Sequence, residues 1–292
     1  MSELDLRSRI ADLRSNPGAD ALLEAALIVA QVGRAPPDAG ALRGQLDTLA
    51  DAARPWVLPH AHPRHRIEGL CSFLKEDRGF GGDPDNYYDV DNSLIDRVLA
   101  TGRGIPITLA IVYAEVGNRL GMKCEGVNFP GHFLLRCRTA AGDAARDAEP
   151  WLVDPFAGAV LGTSECAALL QRQQRQQGEQ SPQRSLSDDD FQTASPIMVL
   201  VRMLNNLKQQ ALSRQLWLDA LRYSDLILLA EPSLILEHGE RAALFERTAQ
   251  FDLALVELQL LDAALDDGPL REQVARELLR VGRLGHADRT VH

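Results

Sequence analysis

Three histidines stand close together in the segment PHAHPRH, at His60, His62 and His65. Imidazoles at this spacing can bind zinc or nickel. No matching set of Cys, Asp or Glu accompanies them, and two prolines make the segment a loop, so they read as solvated and no metal is expected. Further on, Asp83, Asp85, Asp89 and Asp91 surround Tyr87 and Tyr88. The glycine and terminal glutamate of a calcium-binding EF-hand loop are absent, which leaves a solvated turn. Gly79 to Gly82 lacks the lysine and the strand-to-helix context of a phosphate loop. Cys71, Cys124, Cys137 and Cys166 form no CxxC pair. In a chain of 292 residues they read as reduced thiols, not as a disulfide frame. His132 follows a Pro-Gly turn, where an imidazole can hydrogen-bond a nearby carboxylate.

The chain around these residues is ordinary for a soluble protein, with 45% hydrophobic and 25% charged residues. Only 5% is aromatic, while Ala and Leu abound, which favours helical packing over a large β-sandwich. The net charge of −10 disfavours general binding to nucleic acid or anionic membrane. The start, MSELDLRSRIADL, is no secretory signal, and no apolar run reaches the length of a membrane span. A cytoplasmic location is the default expectation, and no cofactor is called for.

Helical spacing runs over Leu4 to Leu13, Ala21 to Val32 and Ala41 to Ala53, with Asp20 as a cap for the second. Pro55 to His65 reads as a loop and Ile67 to Lys75 as a short helix. Asn92 or Ser93 can cap a helix from Leu94 to Ala100. Pro106 suits the first turn of the next helix. Ile107 to Leu120 is apolar on nearly every face, the mark of a buried helix, and Gly121 is its stop. Lys123 to Phe129, His132 to Arg138 and Trp151 to Val153 read as strands. Gln171 to Asp190 is polar and reads as a mobile linker. Helices are then expected at Ile197 to Leu212, Gln215 to Leu229, Leu234 to Thr248, Phe251 to Leu265 and Leu270 to Leu284. Trp217-x-x-Ala220 and Phe251-x-x-Ala254 lie 34 residues apart, with Pro232 where a tetratricopeptide repeat ends and Ala242 at the place of its early glycine.

The segment NSLIDRVLATGRGIPITLAIVYAEVGNRLGMKCEGVNFPGHFLLR, followed by WLVDPFAGAVL, resembles the signature of the SirB-type family of the transglutaminase-like superfamily. The tail segments MLNNLK and ERAALFERTAQFDLALVELQLLDAAL fit as well. The resemblance covers roughly residues 77–267. It implies an α+β fold, a helix-rich papain-type domain with a small antiparallel sheet over 1–170. A linker over 171–194 and an all-helical, tetratricopeptide-like tail over 195–292 complete the chain.

The superfamily's catalysts use a Cys at the start of a buried helix, a His beginning a later strand, and an Asp on the next strand. The helix dipole and free N–H groups lower the thiol pKa, and the aspartate orients the imidazole. By resemblance His132 and Asp154 take the second and third places. Counting back from Gly121, the cysteine's place falls near Pro106, which is no nucleophile. Thr108 is the nearest hydroxyl, with helix-start hydrogen bonding as its ordinary role. Cys71 is a thiol that could approach, and otherwise a small core residue. Cys124 and Cys137 lie on strands and read as packed. Losing the nucleophile removes nearly all triad catalysis. The expectation is therefore a non-catalytic module for a protein or peptide partner, with Pro106, Asn128 and Trp217 as its binding positions. The alternative is an amide-bond hydrolase or acyl-transferase with a non-standard nucleophile.

Overall fold

The computed structural model describes residues 3–139, 150–176 and 185–291. The chain divides into two units, Met1–Val199 and Leu200–His292. The first opens with helices α1 (Glu3–Ser15), α2 (Ala21–Ala30) and α3 (Ala39–Val57). Asp20 precedes α2 but makes no side-chain cap; its carboxylate meets Arg43 Nε at 3.2 Å instead. Asp38 caps α3, accepting from the Gly40 and Ala41 amides. The expected loop over Pro55 to His65 is shorter than the prolines suggest. Pro55 sits inside the last turn of α3, which continues to Val57, and Pro63 opens α4 (Pro63–Ser72), where its missing N–H costs nothing. A π-helical turn, Phe73–Asp77, extends α4.

A parallel ribbon of β1 (Gly81–Gly82) and β2 (Arg103–Gly104) brackets α5 (Ile95–Thr101). Neither Asn92 nor Ser93 caps α5; both lie in a 3-10 turn, Val90–Ser93, and Leu94 is the capping position. The Asn92 carbonyl is committed elsewhere, accepting from the Ile105 amide and the Thr108 hydroxyl. That pins the 3-10 turn to the start of α6 (Pro106–Arg119).

Helix α6 is buried from Pro106 to Gly117, as its all-round apolar sequence requires. It packs on α2, α3 and a four-stranded antiparallel sheet in the order β3 (Met122–Val127), β4 (Leu134–Thr139), β5 (Trp151–Asp154) and β6 (Ala159–Leu161). The opposite face of the sheet meets helix α7 (Thr163–Gln176), where Val127, Phe129 and Leu134 join Cys166 and Leu170 in one apolar cluster. Residues 171–176, expected in a mobile linker, are the end of α7. Asp188–Phe191 is a 3-10 turn, and Thr193 bridges to Val127. Charged and glutamine side chains suit the solvent face of a helix as well as they suit a linker, so composition did not distinguish the two. Residues 177–184 of that linker lie outside the described residues.

The second unit holds α9 (Trp217–Ala230), α10 (Leu236–Arg247), α11 (Phe251–Ala264) and α12 (Pro269–Val291); its boundary falls within α8 (Pro196–Ser213). Its turns repeat every 34 residues. Gln215 and Ala249 both adopt positive φ, at 59° and 56°. Leu216 N–H donates to Ala211 O, and Gln250 N–H donates to Phe245 O, the long bond of a Schellman turn in both places. One turn later, Ala220 and Ala254 are both fully buried.

Candidate active site

His132 Nε2 lies 2.9 Å from Asp154 Oδ1. The two residues come from neighbouring strands. His132 ends the Pro-Gly turn just before β4, its amide donating to Phe129 O, and Asp154 is the last residue of β5. The same carboxylate oxygen accepts from the Phe156 and Ala157 amides at 2.9 and 3.1 Å. Burial works to raise the Asp154 pKa. The His132 hydrogen bond and charge, with the two amides, outweigh it and hold the carboxyl below its usual range.

Phe156 ties this pair to the rest of the unit. Its ring stands edge-on to His132, with centroids 6.3 Å apart, and to Tyr87 at 6.2 Å. It also lies against Gly82, where a Cβ would sit only 2.1–2.4 Å from three ring atoms. The Gly-rich segment at 79–82 therefore serves close packing, since Gly81–Gly82 pairs with Arg103–Gly104, which leads directly into α6. Lys75, in the π turn, donates to Ala157 O and reaches under Gly158. Sequence reasoning missed Phe156 and Gly82. The DPF tripeptide at the end of β5 and the paired glycines were the signals.

Pro106 is the first residue of α6 and is buried. The Thr108 hydroxyl is fully buried, 2.7 Å from Asn92 O and 3.0 Å from Ile105 O. Asn128 is exposed in the turn between β3 and β4. Trp217 belongs to the second unit, partly buried among Ala211, Ala220 and Leu221, with the Arg247 guanidinium 5.4 Å above its ring.

The four cysteines are all free and buried. Burial, with the charges of Cys124, Glu68 and Asp154, pushes Cys71 up to about 12. Burial likewise takes Cys166 to about 11. The Tyr113 hydroxyl is buried without a hydrogen-bond partner among the described residues, and burial, Cys71 and Asp154 all raise its pKa. Thiols held protonated in this way are poor nucleophiles at neutral pH.

The histidine segment begins α4. His62 is its N-cap and accepts from the Arg64 amide, and the His62 and His65 rings lie 5.2 Å apart. His60 and His65 line an open pocket with Trp56, Glu68 and Glu76. Among the described residues no group of three His, Cys, Asp or Glu side chains is placed to hold a metal ion. In the acidic loop, Asp83 and Asp89 accept from the Asn86 and Asp91 amides, so these carboxylates shape turns. No helix among the described residues is long and apolar enough to cross a membrane.

The family profile described as the transglutaminase-like superfamily matches residues 40–205. A UPF0162 protein of Pseudomonas aeruginosa is 34% identical over 267 residues, covering 91% of this chain and 90% of that protein. Protein SirB1 of Salmonella typhimurium is 23% identical and the UPF0162 protein YchA of Escherichia coli 25%, each over 80% of this chain and 82% of the relative. No solved structure matches significantly.

Proposed function

Because the chain belongs to the transglutaminase-like superfamily, we propose that it is a non-catalytic member, a binding or regulatory module for a protein partner. The observation that carries this reading is the first turn of α6. Pro106 stands where the superfamily's thiol is expected, and the Thr108 hydroxyl, two residues on, donates its hydrogen bond to a backbone carbonyl. A hydroxyl so engaged, with no base beside it in that bond, is not an activated nucleophile. The protonated Cys71 and Cys166 supply none either. In this reading residues 1–170 are the transglutaminase-like domain and 195–292 a tetratricopeptide-like partner-binding region. The 34-residue recurrence of its turns supports that description. So does α11, where Leu253, Val256 and Leu260 present an exposed apolar stripe at i, i+3 and i+7.

A second reading, an amide-bond hydrolase or acyl-transferase, is supported by the intact His132–Asp154 bond. Amidase and amine-transfer assays on the wild type, His132→Ala and Thr108→Ala separate the two. The non-catalytic reading expects no turnover above the His132→Ala background and no hyper-reactive cysteine towards iodoacetamide. Turnover that His132→Ala abolishes would establish the enzyme. For the partner role, proteins captured by the full chain should be lost with Leu253→Glu/Leu260→Glu; unchanged capture argues against the tail as the binding region.

A further inference from the structure

Cys124 on β3 and Cys137 on β4 are direct partners in the antiparallel register. Two hydrogen bonds define what kind of pair they are. The Cys124 amide donates to Asn118 Oδ1 at 2.8 Å, and the Gly126 carbonyl accepts from the Ala194 amide at 2.8 Å. Both groups therefore point away from β4. In an antiparallel ladder the N–H and C=O of one residue point to the same side, and the pattern alternates along the strand. Cys124–Cys137 is thus a non-hydrogen-bonded pair, the type whose Cα atoms stand about 4.5 Å apart with side chains closest. That spacing lies within the roughly 4.4–6.8 Å that a disulfide accepts. Both side chains point inward; a Cβ on Gly117 of α6 would meet the Cys124 sulfur at 2.7 Å. Both are buried, and the Cys124 thiol and burial together raise the Cys137 pKa.

We propose that Cys124 and Cys137 form an oxidative modification site, closing to a reversible cross-strand disulfide with a peroxide as oxidant. One sulfur attacks a peroxide oxygen and becomes a sulfenic acid as the O–O bond breaks, releasing the first water. The second sulfur displaces that hydroxyl as the second water, forming the S–S bond. Two thiols and one hydrogen peroxide give one disulfide and two waters. The two sulfurs together lose two electrons, and the peroxide gains them. Neither thiol is exposed, and the neighbouring Cys124 thiol and burial hold Cys137 protonated. Oxidation therefore requires opening of β3, the terminal strand of its sheet, whose outer side carries the Asn118 side chain and residues 193–194. Once formed, the bond staples the hairpin whose turn carries His132. This inference is independent of whether the His132–Asp154 pair is catalytic.

The test is peptide mapping of the full wild-type chain under non-reducing conditions after treatment with hydrogen peroxide, with free thiols blocked by iodoacetamide. The expected product is a Cys124–Cys137 cross-linked peptide, lost on treatment with dithiothreitol. Its rate of formation should rise in urea below the unfolding transition. Cys124→Ala should abolish the cross-link while leaving alkylation of Cys166 after unfolding unchanged. A dominant Cys71–Cys124 or Cys71–Cys137 link would overturn the assignment, as would sulfinic acid at either cysteine with no cross-link. Because the mapping uses the wild type, it decides the matter even if the variant does not fold.

Discussion

Replacing Asp154 with asparagine should destabilise the first unit by an amount that depends on pH. Asp154 Oδ1 has three partners, His132 Nε2 and the amides of Phe156 and Ala157. A hydrogen bond to a charged group contributes about 1.5–3 kcal/mol, against about 0.5–1.5 kcal/mol for a neutral pair. Asparagine keeps the shape and one carbonyl oxygen but not the charge. A loss of about 1 kcal/mol at each contact, reduced because they share one acceptor, gives roughly 2–3 kcal/mol for Asp154→Asn at pH 7. The folded carboxyl pKa is depressed, so at low pH the unfolded state binds more protons. The stability that the ionised group contributes is present above the unfolded pKa of about 3.9, and is lost as pH falls through the lower folded value. The difference between wild type and variant should therefore shrink below about pH 4, as the carboxylate is protonated. Urea unfolding in a Trp217→Phe background reads the first unit alone, because the remaining emission comes from Trp56 and Trp151. An equal difference at pH 7 and pH 3, or one under about 0.5 kcal/mol at pH 7, would refute the reasoning.

Gly82→Ala should cost about 1–3 kcal/mol by forcing a methyl group into the Phe156 ring; adding Phe156→Leu should recover part of it, as a double-mutant cycle would measure. Lys208, with 1% of its side chain exposed, reaches Glu237 at 2.6 Å and Glu240 at 2.7 Å. Lys208→Met should cost about 3–5 kcal/mol by leaving the buried Glu237 unpaired, and Lys208→Met/Glu237→Leu should restore most of that in chemical denaturation. Ala249 adopts a φ of 56°. Left-handed backbone costs a non-glycine residue about 1–2 kcal/mol, partly offset by the entropy of glycine, so Ala249→Gly should stabilise the tail by about 0.5–1 kcal/mol in thermal unfolding.

Much of the architecture was legible in the sequence because its signals are local. Ile107 to Leu120 could only be a buried helix, and Pro106 marked its start. The tail helices followed from apolar spacing, with ends displaced by at most two residues in α8 to α11, while α12 runs on from the expected Leu284 to Val291. What was misread included side chains with both a local and a distant choice. Asp20 could cap α2 or pair with Arg43, and Arg43 lies 23 residues away in the chain. The short strand β6 was missed because Ala159–Leu161 offers too few residues for an alternation to register. The histidine segment gave a loop signal through its prolines, yet Pro63 begins a helix.

The residues of the candidate site divide in the same way. The sequence alone determined that Pro106 brings no thiol, because side-chain identity is a property of single positions, and its resemblance to the family singled out His132 and Asp154 as a pair. The tertiary structure decided how those side chains are engaged. It brought His132 to 2.9 Å from Asp154, committed the Thr108 hydroxyl to the Asn92 carbonyl, and set Cys124 opposite Cys137. Hydrogen bonds, strand register and burial join residues far apart in the chain, and each depends on where the backbone returns after an intervening turn or helix.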